Sequence, residues 1–174
     1  MRDADIIEIM MRKLSVPVGR HLYGILGSYK ALDRFAGKLQ EAKVSEGKPF
    51  PSPLSVNRGI LEAIPDEEFR RLVQDEAKHP EPTADHVRRA FESFIRTALQ
   101  RDGLVVLKSL EMLFAYDTEL SALRTLAADE YRVILLLPGK REGERVIMFP
   151  GTGPTTYSLP TNLLPRDNLW QLEE

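Results

Sequence analysis

Cysteine is missing from all 174 residues. That removes disulfides and thiolate metal sites and fits a reducing compartment. Long apolar runs are missing as well: the longest purely apolar stretch, Val133 to Leu137, is far short of the about 20 residues that span a bilayer. The first residues, Met1-Arg2-Asp3-Ala4-Asp5, are acidic and lead into no long apolar core. No signal peptide is therefore expected, no membrane contact, and a cytoplasmic location. An excess of charge is absent too. A net charge of −2 supplies no general field for nucleic acid. Histidine is scarce, and His21, His79 and His86 have no metal-ligand spacing, so all three are expected on the surface or in loops.

What is present reads as one domain with a real core. Hydrophobic residues make up 43% and charged residues 29%, which argues for a globular chain over a disordered one. Ile6, Ile7, Met10, Met11 and Leu14 recur at helical spacing before Pro17. Arg20 to Tyr23 reads as a short strand, the segment from Gly24 to Ser28 as a glycine-bearing turn, and Leu32, Phe35, Ala36 and Leu39 as the buried stripe of a following helix. Pro49, Pro51 and Pro53 exclude a regular helix or a central strand there. One helix is predicted from Asp66, with Phe69, Leu72 and Val73 inward. Another is predicted from near Thr83, burying Val87, Phe91, Phe94, Ile95 and Ala98 and ended by Gly103.

The period then changes. Leu104 to Leu107 and Arg132 to Leu137 are continuous runs suited to parallel strands covered on both faces. Between them a helix capped near Asp117 is predicted to bury Leu120, Leu123 and Leu126. Past Pro138 and Gly139, a polar turn ending at Gly143 leads to Arg145 to Phe149, a hairpin partner. The expected fold is α/β: a three-layer domain over residues 1–160, with a mainly parallel sheet and a C-terminal hairpin, then a tail over 161–174.

The segment Gly24-Ile25-Leu26-Gly27-Ser28-Tyr29-Lys30-Ala31 sits where a strand, a glycine turn and a helix would frame a phosphate-binding loop. Against the pattern G-x-x-x-x-G-K-[ST], Gly24 and Lys30 fall in register, while Tyr29 replaces the second glycine and Ala31 the hydroxyl. A ring at position 29 crowds the amides that close on phosphates, and Ala31 cannot ligate magnesium. The strand over 104–107 is followed by Lys108, where an acid would hold the hydrated metal. Gly24, Gly27, Ser28 and Lys30 are thus the nucleotide-site residues of a degenerate loop. The plainer reading is a tight strand-to-helix turn beside solvated lysines.

Other residues have structural readings. Ser28 lacks a nucleophile-elbow context. Arg88, Arg89 and Arg96 share a helix face with Glu92 and suit intrahelical pairing. Asp66, Glu67 and Glu68 suit a helix start. Glu111 could activate water in a working ATPase or pair with Lys108.

The segment Leu104-Val105-Val106-Leu107-Lys108-Ser109-Leu110-Glu111-Met112-Leu113-Phe114, with Leu120 to Leu126 and Arg132 to Gly139, resembles the second half of the small P-loop proteins of BREX phage-exclusion systems (BrxF-like). Glu111, Leu113 and Phe114 match that family, and Lys108 departs from its acid. Val133 to Phe149 is also similar to the C-terminal part of BrxB-like proteins. The resemblance implies a P-loop-NTPase-like fold with a degenerate site, and a non-catalytic adaptor or regulatory subunit that binds other proteins of a phage-defence complex. The alternative is a divergent ATP-binding protein or weak ATPase of the same system, with Lys30 on the phosphates and without strong magnesium binding. In the tail, Leu163, Leu164, Leu169, Trp170 and Leu172 are too apolar for a solvated end. Trp170 with Leu169 is the expected partner anchor, and a tail folded onto the core is the other reading.

Overall fold

The computed structural model describes residues 1–44, 47–76, 78 and 80–174. Its strands in chain order are β1 (Leu22–Gly27), β2 (Leu54–Ser55), β3 (Leu104–Lys108), β4 (Arg132–Glu142), β5 (Arg145–Met148), β6 (Tyr157–Ser158) and β7 (Leu169–Gln171). The helices are α1 (Asp3–Leu14), α2 (Tyr29–Glu41), α3 (Val56–Ala63), α4 (Asp66–Asp75), α5 (Pro80–Asp102), α6 (Glu111–Ala115) and α7 (Ser121–Leu126). The sheet runs β2-β3-β4-β1-β7 with every neighbouring pair parallel. β5 pairs antiparallel with the end of β4, and β6 with β5.

The continuous apolar runs exist because the central strands are covered twice. Leu22, Leu26, Val105, Leu107, Val133 and Leu135 point into one core beneath α3, α5, α6 and α7. Tyr23, Ile25, Val106, Ile134 and Leu136 point into the other, beneath α1 and α2. Alternation along each strand sends successive side chains to opposite layers. Burying one such side chain contributes roughly 1.5–3 kcal/mol. The predicted α/β class, mainly parallel sheet and C-terminal hairpin are therefore observed.

Several boundaries differ from expectation. The strand read as Arg20 to Tyr23 starts at Leu22 and runs through Gly24 to Gly27, so the predicted turn is strand. α3 is unforeseen: its stripe of Val56, Gly59 and Ile60 is short and holds a glycine. A Cβ at Gly59 would lie 2.5 Å from the Phe94 ring, so the residue that weakens the helical pattern is what lets α3 meet α5. The expected single helix near Asp117 is two. Asp117 has φ 49, and the chain breaks between α6 and α7, with Thr118 N–H donating to the Leu113 carbonyl. α4 buries none of its residues: Leu72 is half-buried, while Phe69 and Val73 are exposed. β4 continues past Pro138 and Gly139 to Glu142 and shortens the polar turn.

The stretch 161–174 is not a tail beside the domain. After a 3-10 turn at Arg166–Asn168, β7 joins the sheet with Leu169 opposite Gly24 and Trp170 opposite Ile25. Leu169 is 9% exposed and Trp170 7%, and the indole stacks on Tyr23 at 6.0 Å between centroids. These two residues cannot anchor a partner while they are inside their own fold. Among the described residues, no helix is long and apolar enough to cross a membrane.

Candidate functional site

In parallel sheets with helices on both faces, ligands bind outside the carboxyl ends of the strands. Here that edge gathers Gly27 and Ser28 from β1, Lys108 from β3, and the starts of α2, α3 and α6. The passage from β1 to α2 is one residue long. Ser28, in extended conformation, is the N-cap of α2, and its Oγ accepts from the Ala31 amide at 3.3 Å. The Ser28 hydroxyl donates in turn to Glu174 Oε2 at 2.9 Å. No multi-residue loop remains to wrap phosphates.

Each residue of the degenerate motif has a structural occupation. Gly24 is buried within β1, where a Cβ would come within 2.7 Å of Leu164 and 2.8 Å of Leu169. It is glycine because the C-terminal segment crosses it, and it faces no ligand. Gly27 packs in the same way against Leu172, whose Cδ1 lies 3.2 Å from the position of a Cβ. Ala31 is only 2% exposed, so the position that a metal-ligating hydroxyl would take is inside the core. Lys30 is exposed on the first turn of α2. The Leu172 amide donates to the Leu26 carbonyl at 2.8 Å, which carries the β1–β7 ladder past the junction.

Beside this junction lies a polar network that sequence reading found only in part. The Tyr29 hydroxyl donates to Glu111 Oε1 at 2.9 Å, and Asn57 Nδ2 donates to Glu111 Oε2 at 2.9 Å. Asn57 Oδ1 accepts from the Met112 amide at 3.0 Å, and the Asn57 amide donates to the Ser109 carbonyl. Burial and the Glu111 carboxylate together push the Tyr29 phenol up to about 12. Glu111 therefore has a hydroxyl and an amide on its two oxygens, and no ion pair to Lys108 forms among the described residues. Asn57 was missed because an asparagine in the first turn of an unforeseen helix carries no motif. Tyr29 was noticed as an intruder on a glycine position, and its role is to tie α2 to α6.

A magnesium nucleotide does not fit these residues. Its hydroxyl ligand position is buried alanine, the acid position is Lys108, and a carboxylate, Glu174, already lies at the N-cap of α2. Like charges at that point repel phosphate. Among the described residues, no cluster of three histidine or acidic side chains could hold a metal.

The remaining sequence candidates are placed as follows. His21 is buried, not on the surface: Nδ1 is 2.8 Å from the Tyr23 hydroxyl, and Nε2 has no partner. Burial, then the Arg132 charge, lowers its pKa below the ordinary value. It was misjudged because it precedes β1 by one residue and shares the inward face of Tyr23. His86 Nδ1 lies 2.8 Å from Glu68 and joins α5 to α4. His79 lies outside the described residues. Arg88 and Arg89 pair with Asp85, and Arg88 also with Glu92. Asp66, Glu67 and Glu68 fill the first turn of α4 as expected.

Comparison with protein-family models, with curated proteins and with solved structures found no significant match to the chain.

Proposed function

We propose that this chain is a non-catalytic adaptor of a BREX-like bacterial phage-defence complex, built on a P-loop-like α/β scaffold, which acts by binding other protein subunits. One observation carries the non-catalytic part. The groups that a nucleotide would use at the carboxyl end of β1 are engaged by the chain itself: Ser28 by Glu174, Gly27 by Leu172, and Glu111 by Tyr29 and Asn57, while Ala31 is buried in the core. The defence setting rests on the resemblance of residues 104–149. It is supported by the placement of Glu111, Leu113 and Phe114 just after β3, the first of the two paired parallel apolar strands β3 and β4.

An adaptor also needs a free surface, and α4 offers one. Phe69 and Val73, four residues apart on the helix, are 40% and 58% exposed. Neighbours at that spacing share a helix face. The test is affinity co-purification of the tagged protein with the products of its neighbouring genes, beside an ATP turnover assay. Stable recovery of a defence subunit, reduced by Phe69→Ser with Val73→Ser and accompanied by no turnover, is the expected outcome. Steady ATP turnover abolished by Lys30→Ala would replace this reading with the divergent ATPase.

A further inference from the structure

The amino-end side of the sheet holds a second feature, at the opposite end of β1 from Ser28. A pocket of about 240 Å³ opens between the start of β1, the last turn of α7 and the segment leading into β7. Its floor is apolar, formed by Leu22 and Leu164, both buried in the core cluster. Its polar lining includes Arg20, Arg124, Thr161 and Asn162, and no carboxylate lines it. Among the described residues, none of these four side chains makes a hydrogen bond or ion pair with the protein. Arg2, Arg34, Arg58, Arg88, Arg101 and Arg166 all have acidic partners, whereas Arg20 and Arg124, like Arg70, Arg71, Arg96 and Arg145, have none among the described residues.

Two guanidinium groups on one small pocket, with no acid between them, repel each other in a chain whose net charge is −2. The dipole of α7 accounts for Arg124 in its last turn. It does not account for Arg20, which reaches the same pocket from the other side of a short antiparallel bridge between Arg20 and Ala128. Guanidinium forks match carboxylate and phosphate oxygens, and a hydroxyl and an amide extend the donor set. The one polar group among the buried lining residues, the Asn168 amide, is already bonded to the Leu22 carbonyl and to Lys13, so the body of a ligand that fills the pocket is apolar. The volume is below the roughly 300–1,000 Å³ of pockets for drug-sized ligands, which limits the occupant to a small molecule.

We propose that this pocket binds a compact organic anion, a carboxylate or phosphate monoester with a short aliphatic body. Arg20 and Arg124 hold the head group, and Leu22 and Leu164 hold the body. Amide chemical shifts of Leu22, Leu163 and Leu164 report on it, followed by NMR while the full chain is titrated with butyrate, propyl phosphate, butyramide and inorganic phosphate at constant ionic strength. Saturable shifts are expected with butyrate or propyl phosphate, and the tighter of the two names the head group. Arg20→Gln and Arg124→Gln should each weaken that binding about tenfold, the loss of one charge-assisted contact. Neither arginine side chain bonds to the protein, so both variants should keep the parent spectrum elsewhere. Non-saturating shifts with both anions, equal binding of uncharged butyramide, equal binding of bare inorganic phosphate, or unchanged affinity in both variants would each overturn the proposal.

Discussion

The two edges of the parallel sheet are built in opposite ways. At the β7 edge a three-residue strand is fastened from every side. Trp170 stacks on Tyr23, and Asn168 donates to the Leu22 carbonyl and accepts from Lys13. Arg34 joins buried Asp3 to the Glu173 carbonyl, and Arg141 donates to the Leu169 carbonyl. At the β2 edge the strand has two residues, and α4, which packs on α5, buries none of its own. α4 is held by half-buried Leu72, by Glu68 on His86 and by Glu76 accepting from Tyr116. A strand that covers the outside of β1 completes the core, whereas a helix attached by Leu72 and a few polar contacts leaves Phe69 and Val73 uncovered. The contrast is why the proposed interaction surface is α4 and not the C-terminal segment.

The largest expected effect tests the fastened edge. Trp170→Ala removes a large ring from a closed contact and should cost about 3–5 kcal/mol in chemical denaturation. A loss below about 0.5 kcal/mol, the usual range for a surface position, would mean that the β7 edge is not part of the core. Gly24→Ala should cost about 1–3 kcal/mol, because Leu164 and Leu169 must move aside in a packed interior. A neutral result there would say that the C-terminal segment crosses β1 loosely.

Next in size is the charge cluster that ties α1 and α2 to this edge. Asp3 is 5% exposed, and Arg34, with Lys38, holds its carboxyl below the usual range. Asp3→Asn should cost about 1–2 kcal/mol at neutral pH. The wild-type contribution is present above the ordinary carboxyl value and is lost as pH falls through the lowered folded value. His21 acts in the same direction. Its folded pKa is lowered, so the unfolded chain takes the proton first and stability declines as pH falls below about 6.5. At the alkaline end, Tyr23, Tyr29 and Tyr116 are pushed up to about 12. Their contribution is complete below pH about 10 and lost as pH rises towards the folded value. Denaturation midpoints measured from pH 3 to 12 should trace both limbs, and Asp3→Asn should flatten the acid one.

The smallest effect belongs to the loose edge. Phe69→Ser and Val73→Ser should each change stability by no more than about 0.5 kcal/mol, while together they weaken co-purification. A loss of several kcal/mol would show that α4 packs more firmly than its exposure indicates.

These contrasts also explain what the sequence could and could not reveal. The runs over 104–107 and 132–137 were legible because strands covered on both faces are apolar without a break. α1, α2 and α5 were legible because each buries a stripe at helical spacing, and Gly103, with φ +70, ends α5 as expected. The two edges were read the wrong way round for one reason: periodicity reports that a helix has an apolar face, not that anything covers it. Thus Phe69 and Val73 read as core. β7 was illegible because three residues after a proline-punctuated turn carry no period at all. At the candidate site, Lys30 was found from spacing, Lys108 from its place after an apolar strand and Glu111 from the family resemblance, but the occupants of the junction, Leu172, Glu174 and Asn57, come from distant segments that only the fold brings there.

The central claim, that the carboxyl end of β1 is closed to nucleotide by the chain's own residues, is tested most directly by calorimetric titration with ATP, with and without magnesium. The account predicts no saturable heat in either condition. Saturable, magnesium-dependent binding that disappears in Lys30→Ala would contradict it.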